Sequence, residues 1–231
     1  MDQLSQALGL NGQRIICAAG GGGKTSLLFR LAEEYRSEGN KVLLATTTKM
    51  ALPEEYGALD RTAEEIIAQM DRDGFVVAGT TWEGIKMSEL PPEIYRQVSE
   101  RADIVLLEVD GSKRLPMKMP REGEPVMPEH YDFLVTVLGL SGLGQPLEQV
   151  CHRWELAEES FGWKGDRKVS PQDAARLLAA GYDSFWKKTT GCIFLNQADR
   201  SGEAAAREVA EALSDFSCVW GSLAQRWYHT L

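Results

Sequence analysis

The chain alternates between short continuous apolar runs and longer segments whose apolar residues recur every three or four positions. Continuous runs are typical of strands buried on both faces, and the periodic segments are typical of amphipathic helices. The runs that predict strands cover residues 15–19, 41–45, 75–79, 103–110, 133–138, 191–195 and 217–220. Strands that alternate with helices in this way form a parallel sheet with helices on both faces. The expected fold is therefore a three-layer α/β domain.

Local signals place several elements more closely. Thr62 and Glu65 form a capping box that predicts the start of a helix, and residues 82–87 suggest a small hairpin. A helix in the later part of the chain is expected to stop at Gly181, because glycine is favoured just past a helix end. We expect one domain over the whole chain, residues 1–231, with a helical insertion at about 150–188.

The first apolar run breaks into four consecutive glycines, which Lys24 and Thr25 follow at the start of a helix. Glycines let successive backbone N–H groups turn toward one centre, and the helix adds its positive N-terminal end. This arrangement predicts the phosphate-binding loop of a P-loop NTPase, with Lys24 on the outer phosphates and Thr25 on Mg²⁺. Ala18 stands where the usual G-x-x-x-x-G-K-[ST] pattern has its first glycine. The residues expected to hold the nucleotide here are Gly20, Gly21, Gly22, Gly23, Lys24, Thr25 and Ser26.

Two acids, Glu108 and Asp110, end the run at 103–110. From this place an acid can hold Mg²⁺ through a water or orient an attacking water near the outer phosphate. Residues two apart on a strand share a face, so either acid could serve the metal. Lys24, Glu108 and Asp110 are the predicted catalytic residues, and Thr25, Glu108 and Asp110 are the predicted metal ligands. Strand-end acids that are merely solvated are the alternative.

Asn196 and Asp199 follow the run at 191–195 with a spacing that resembles the Asn-Lys-x-Asp element of GTPases. In that element the aspartate accepts hydrogen bonds from the ring N–H and the exocyclic amine of guanine. Gln197 replaces the lysine, so GTP and ATP both remain possible. A polar turn is the alternative for this segment. Thr47 is a further candidate for contact with the outer phosphate.

Residues 111–130 form a proline-containing loop without periodicity. Long loops inside compact domains are usually functional or disordered. Lys49, Lys113 and Arg114 are candidates for stabilising charge during phosphoryl transfer. Alternatively, Lys113, Arg114 and Lys118 bind the acceptor of a small-molecule kinase or transferase. A nucleotide-sensing scaffold without turnover is a third possibility.

The composition narrows the range of partners. Lys and Arg total 25 against 34 Asp and Glu, a formal charge of −9, so neither nucleic acid nor an anionic membrane is expected as a partner. No segment has the apolar length of a membrane span or the pattern of a signal peptide, which predicts a cytoplasmic protein. The four cysteines lie far apart and are expected to stay reduced.

Four segments together resemble the YqeC family, whose members are described as accessory proteins of selenium-dependent hydroxylases. These segments are residues 20–25, 46–50, 108–116 and 124–128. The resemblance implies slow hydrolysis of GTP or ATP, with Mg²⁺, coupled to maturation of a selenium-dependent molybdenum hydroxylase or its cofactor. The partners would be the nucleotide and a client metalloenzyme or maturation proteins, with a homodimer left open. Glu108-x-x-Gly111 and Asn196-x-x-Asp199 are also similar to motifs of the metallochaperone GTPases.

Overall fold

A computed structural model describes residues 3–230. The strands are β1 (Ile15–Gly20), β2 (Val42–Thr46), β3 (Lys49–Ala51), β4 (Gly57–Leu59), β5 (Phe75–Trp82), β6 (Lys86–Ser88), β7 (Ile104–Glu108), β8 (Met117–Lys118), β9 (Phe133–Gly139), β10 (Cys151–His152), β11 (Gly191–Asn196), β12 (Cys218–Ser222) and β13 (Trp227–Thr230). The helices are α1 (Leu4–Ala7), α2 (Lys24–Ser37), α3 (Ala63–Asp73), α4 (Pro92–Arg101), α5 (Leu147–Val150), α6 (Glu155–Phe161), α7 (Pro171–Trp186), α8 (Ala198–Ser201) and α9 (Glu203–Glu211).

One main sheet organises the fold. Within residues 3–230 its order is β13-β12-β11-β9-β1-β7-β2-β5-β6-β3, with β4 beside β5. The strands from β12 to β5 in this order are all parallel, and β13, β6 and β3 add antiparallel edges. Parallel neighbours need crossover connections, and the helices supply them. The strands β8 and β10 pair separately in a short parallel ladder.

Alternate residues of the central strands feed two cores, one on each face of the sheet. On one face Ile16 and Leu44 pack with Leu27 and Leu31 of α2. On the other face the helices α3, α4, α7 and α9 cover the opposite set of strand residues, which includes Cys17. Burial on both faces explains why the strands read as continuous apolar runs. The structure confirms the predicted three-layer α/β fold with a mostly parallel sheet.

Most predicted elements are present, but the strand predicted at 103–110 ends at Glu108, and one predicted helix end is wrong. The capping box at Thr62 and Glu65 starts α3, and the antiparallel pairing of β5 with β6 confirms the predicted hairpin. Helices occupy much of the segment predicted at 150–188. Along the chain, α7 belongs to the connection from β9 to β11, which are neighbours in the sheet. However, α7 continues through Gly181 to Trp186. A Cβ at Gly181 would press on Pro120, so this glycine serves close packing instead of ending the helix.

Two features bear on the predictions from composition. All four cysteines are buried and free. Across residues 3–230, no helix combines the length and apolar character that crossing a bilayer requires.

Candidate functional site

The carboxyl ends of the parallel strands β1, β2, β7, β11 and β12 meet at one edge of the sheet. Ligands of open α/β sheets bind at this edge, because the loops after the strands all reach it. The glycine loop after β1 contacts Asp110 after β7 and Asn196 at the end of β11. These segments, distant in sequence, therefore lie together at this edge of the sheet.

The glycine loop is anchored to the body of the protein by its own amides. The Gly20 N–H donates to both carboxylate oxygens of Asp110 at 3.1 Å. The Gly21 N–H donates to the Val137 carbonyl at 2.9 Å. Gly20 has φ +99°, and a Cβ there would overlap the Val137 carbonyl, so both backbone conformation and close approach require glycine.

Amides suited to an anion lie one step further along the chain. The Gly22 N–H is also taken, since it donates to the Leu115 carbonyl at 3.0 Å. Gly23 then turns the chain into α2, which begins at Lys24. The first amides of a helix have no acceptor within it, and its dipole favours negative charge there. Residues 24–26 therefore present the N–H groups and the field of an oxyanion site.

The Lys24 side chain lies beneath this site and is only 4% exposed. Its Nζ donates to the Gly20 carbonyl at 2.7 Å and lies 3.2 Å from Asp110 Oδ1 and 3.9 Å from Glu108 Oε1. Both acids reach the same ammonium, although β7 ends at Glu108 and Asp110 lies beyond the strand. The lysine thus carries a buried positive charge directly behind the loop.

Glu108 and Thr25 form the metal-compatible part of the site. The Thr25 hydroxyl donates to Glu108 Oε2 at 2.6 Å. Burial raises the pKa of the Glu108 carboxyl, while Lys24 and the Thr25 hydroxyl act in the opposite direction. A hydroxyl and a carboxylate are hard oxygen donors of the kind that Mg²⁺ prefers when phosphates complete its coordination. These two side chains therefore fit the predicted ion.

Asp110 has a different environment, although it was predicted to share the metal role. It is fully buried, and its Oδ2 accepts a hydrogen bond from the Tyr182 hydroxyl at 2.9 Å and lies 3.0 Å from Lys118 Nζ. Lys118 Nζ also lies 2.6 Å from Glu124, which Arg153 holds through two hydrogen bonds of 2.6 and 2.8 Å. Asp110 is thus surrounded by protein partners, and Glu108 is the acid beside Thr25.

These contacts form a charge network of Lys24, Asp110, Lys118, Glu124 and Arg153, called the buried charge network below, in which Arg153 at the outer end is half-buried. Sequence reasoning placed Lys118 among cations that could bind an acceptor, but its side chain is buried and paired with two acids. Tyr182, Glu124 and Arg153 were not predicted here, because they lie far apart in sequence. Burial acts to raise the pKa of Glu124, but Arg153 and Lys118 outweigh it and lower that pKa to about 2.

Asn196 links two loops. Its Nδ2 donates to the Gly22 carbonyl at 2.8 Å, and its Oδ1 accepts from the Leu223 N–H at 3.1 Å. Gln197, which stands in the lysine position of the GTPase element, accepts a hydrogen bond from the Ser141 hydroxyl at 2.7 Å. Asn196 therefore holds the turn after β12 against the phosphate loop.

A cleft of about 900 Å³ opens beside this junction. Phosphate-loop, β11–α8 and β12–β13 residues share its wall, and those nearest the junction are Gly23, Ser26, Asn196, Gln197, Asp199, Ser222, Leu223 and Ala224. Asp199 is exposed on this wall. Gly23 and Ser26 of the predicted phosphate residues thus share this cleft with the predicted base residues.

The threonines after β2 and the predicted Lys49 have other contacts. Thr46 donates to the Glu108 carbonyl at 2.8 Å, and Thr47 donates to the Val126 carbonyl at 2.6 Å. Lys49 Nζ lies 3.2 Å from the centre of the Trp82 ring, a cation–π contact in the β3–β6 region. Thr47 therefore ties the loop at 111–130 to the site edge, and Lys49 is engaged with Trp82 instead of facing the glycine loop.

Lys113 and Arg114 are exposed at the centre of a tight turn. The Leu115 N–H closes this turn by donating to the Ser112 carbonyl at 3.0 Å. The Leu115 carbonyl accepts a hydrogen bond from the Gly22 N–H, so this turn directly adjoins the phosphate loop.

The fold and the loop geometry define a three-layer α/β protein built like the P-loop NTPases. The family model described as YqeC protein matches residues 16–155, and the chain belongs to that family. Protein YqeC of Escherichia coli (strain K12) is 28% identical over 219 residues, covering 89% of this chain and 86% of the relative.

Two solved structures are similar at low identity. Hydrogenase maturation factor HypB from Archaeoglobus fulgidus has 13% identity and a TM-score of 0.40, with 96% of this chain and 87% of that chain covered. Signal recognition particle receptor FtsY from Elizabethkingia anophelis has 15% identity and a TM-score of 0.36, with 85% and 54% covered.

Proposed function

We propose that the protein binds a nucleoside triphosphate, with the phosphates at the start of α2 and the base in the cleft beside Asp199. The observation that carries this proposal is the junction of helix amides at 24–26 with the buried Lys24 ammonium. Together they offer directed N–H donors and a compact positive charge, which is what a polyphosphate requires.

Hydrolysis at this site would be slow in-line attack by water on the outer phosphate. Lys24 would exchange the Gly20 carbonyl for a phosphate oxygen, and the helix amides would stabilise the charge that develops there. Thr25 and Glu108 would hold Mg²⁺. When bound, this ion supplies further positive charge at the phosphates.

We propose guanine as the base. Asn196 is engaged by the phosphate loop through its hydrogen bond to the Gly22 carbonyl. Asp199, in contrast, is exposed on the wall of the cleft. A carboxylate can accept two parallel hydrogen bonds from the ring N–H and exocyclic amine of guanine, and adenine lacks that pair of donors. The Leu223 amide is engaged by Asn196, so Ala224 is the better candidate for a backbone contact to the guanine carbonyl.

We further propose that nucleotide binding serves the maturation of a selenium-dependent molybdenum hydroxylase or its cofactor. Support for this role comes from the family resemblance of the motifs at 20–25 and 108–116. Its test is co-purification with such a hydroxylase in the presence of triphosphate or diphosphate. Equal recovery with and without nucleotide would contradict a nucleotide-driven role.

The central prediction concerns Lys24→Ala. Removing the ammonium should abolish detectable triphosphate binding, because no other cation occupies that place behind the glycine loop within residues 3–230. Calorimetric titration of GTP, ATP and their diphosphates with Mg²⁺ measures this loss and the base preference together. Lys86→Ala, which removes an exposed lysine from β6, is the matched control. Unchanged affinity in Lys24→Ala would refute the proposed site.

A kinase or transferase is the second candidate, and the exposed Lys113–Arg114 turn beside the phosphate loop is the observation that favours it. Phosphate release measured with and without candidate acceptors separates the alternatives. Acceptor-dependent transfer indicates a kinase, and basal release indicates a nucleoside triphosphatase. Binding with neither product indicates a sensing scaffold.

A further inference from the structure

The turn at residues 112–115 has an unusual composition for its backbone. Lys113 and Arg114 have φ values of +51° and +64° at its two central positions. Positive φ at both central residues is the pattern of type I′ turns, where glycine, asparagine and aspartate predominate. A residue with a Cβ is disfavoured in this conformation, so two long cationic side chains here are locally costly. Strain of this kind clusters at ligand-binding sites.

Protein contacts do not explain the two cations. Both side chains are exposed, so neither contributes to a core. Across residues 3–230 neither has an ion-pair or cation–π partner, unlike the neighbouring Arg121 and Arg153, which pair with Glu124. In a chain with a formal charge of −9, two adjacent unpaired cations at the functional edge are available to a ligand.

The turn lies beside the phosphate loop. Its last residue, Leu115, accepts the Gly22 N–H at 3.0 Å, and Pro116 accepts the Gly139 N–H at 2.8 Å. Gly111, just before the turn, has open space where a side chain would project. Because consecutive Cα atoms are about 3.8 Å apart, Arg114 lies within about 4 Å of Leu115 along the backbone. The backbone that carries the two cations is therefore adjacent to the residue that accepts the Gly22 N–H.

The buried charge network fixes the position of this turn. Lys118, three residues after the turn, pairs with Asp110 and Glu124, and Asp110 also holds the Gly20 amide. Gly181 of α7 admits Pro120 at close range. The cations therefore project from a rigid base that the phosphate loop shares.

Lys113 also acts on the environment of a nearby histidine. The pKa of the half-buried His152 is lowered to about 4, by burial first and then by Arg153, Lys118 and Lys113. Arg153 and Lys118 are paired with Glu124, so Lys113 is the cation of these three that no acid pairs within residues 3–230.

We propose that Lys113 and Arg114 form a second oxyanion-binding element beside the phosphate loop. An arginine and a lysine in this arrangement suit a phosphate or sulfate group. The oxyanion can come from two sources, the terminal phosphoryl group of a bound triphosphate or a separate small ligand. The first source rests on the proposed function, and the second does not.

The test compares wild type, Lys113→Ala/Arg114→Ala, and the control Lys168→Ala/Lys188→Ala, which removes two exposed lysines elsewhere. Calorimetry measures the affinity of each protein for a non-hydrolysable triphosphate and for the matching diphosphate. It also measures the affinity for inorganic phosphate with and without saturating diphosphate. At least about tenfold weaker triphosphate binding with unchanged diphosphate binding identifies the terminal phosphoryl group. A similar loss of affinity for inorganic phosphate, with unchanged triphosphate affinity, identifies a separate oxyanion.

Equal affinities in the double variant and the control for every ligand would overturn the proposal. If wild type bound phosphate but no nucleotide, the proposed function would fail, and the phosphate titrations would still decide this inference. A further variant, Lys113→Gly/Arg114→Gly, excludes misfolding as the cause. Glycine adopts a positive φ without steric strain, so this variant should melt at a higher temperature than wild type. Its affinity for the oxyanion should nevertheless be lost. A higher melting temperature with full oxyanion affinity would also contradict the proposal.

Discussion

At the scale of single residues, two acids separated by one position have distinct environments. Glu108 receives the Thr25 hydroxyl, whereas Asp110 receives the Gly20 amide and the Tyr182 hydroxyl. The sequence could predict only that both acids end a strand and share a face. Their separate partners come from distant segments, which no local pattern reveals.

Glu108→Gln tests the metal role of this acid. Glutamine keeps the size and an acceptor for Thr25 but loses the charge, so Mg²⁺-dependent triphosphate affinity should fall about 10- to 100-fold. Metal titration at fixed nucleotide measures the loss, with the exposed Glu64→Gln as control. An unchanged Mg²⁺ requirement would place the metal elsewhere.

The raised pKa of Glu108 gives a second readout of the same variant. A raised folded-state pKa means that the native protein binds the proton more tightly than the unfolded chain, so this group costs stability as pH rises above its ordinary pKa. Glu108→Gln should therefore gain stability relative to wild type between acidic and neutral pH. Thermal unfolding at several pH values would show the trend.

At the scale of elements, the connection between β11 and α8 holds the site together. Asn196 satisfies the Gly22 carbonyl and the Leu223 amide at once, so it fixes the phosphate loop relative to the turn after β12. The helix α8 then carries Asp199 to the wall of the cleft. A short connection therefore sets the distance between the phosphate and base regions.

Asn196→Ala should weaken both regions together. Two buried backbone groups lose their partner, which should reduce the free energy of unfolding by about 1–3 kcal/mol. Affinity for triphosphate and diphosphate should fall in parallel, because the loop and the base wall lose their common brace. Urea unfolding and calorimetry measure the two effects, with the exposed Asn11→Ala as control. Loss of triphosphate affinity alone would argue against a bracing role.

The sequence predicted the long buried elements better than the edges of the sheet. Continuous apolar runs and capping residues identified the central strands and α3, because burial on both faces dominates their composition. The short strands β3, β4 and β13 were missed, since they depend on pairing partners that are distant in the chain or beyond a turn. Gly181 misled the prediction of a helix end, because its role is to admit Pro120.

At the scale of the whole molecule, the buried charge network joins the phosphate loop to the loop at 111–130 and to Arg153. Burying several charges is costly unless each is paired, and here acids and cations alternate. The position of the phosphate loop therefore depends on that of the loop at 111–130.

Glu124→Gln should therefore destabilise the whole fold at neutral pH. Breaking a buried pair leaves Lys118 short of one acid, at a cost of about 3 kcal/mol. The pKa of Glu124 is lowered from 4.5 to about 2, so wild type keeps this stabilisation above pH 4.5 and loses it as pH falls toward 2. The difference in free energy of unfolding between wild type and Glu124→Gln, measured with urea, should therefore shrink as pH falls from 4.5 toward 2. A gap independent of pH, or equal to that of the exposed Glu122→Gln, would contradict the assignment.

The contact between Asn196 and the Gly22 carbonyl spans 174 residues. During synthesis, the glycine segment emerges early, yet its brace is translated only after most of the chain has left the ribosome. Contacts this distant in sequence close late in folding, since the intervening chain must first be ordered. Nucleotide binding would consequently require β11, and nascent fragments that end before β11 should not bind nucleotide.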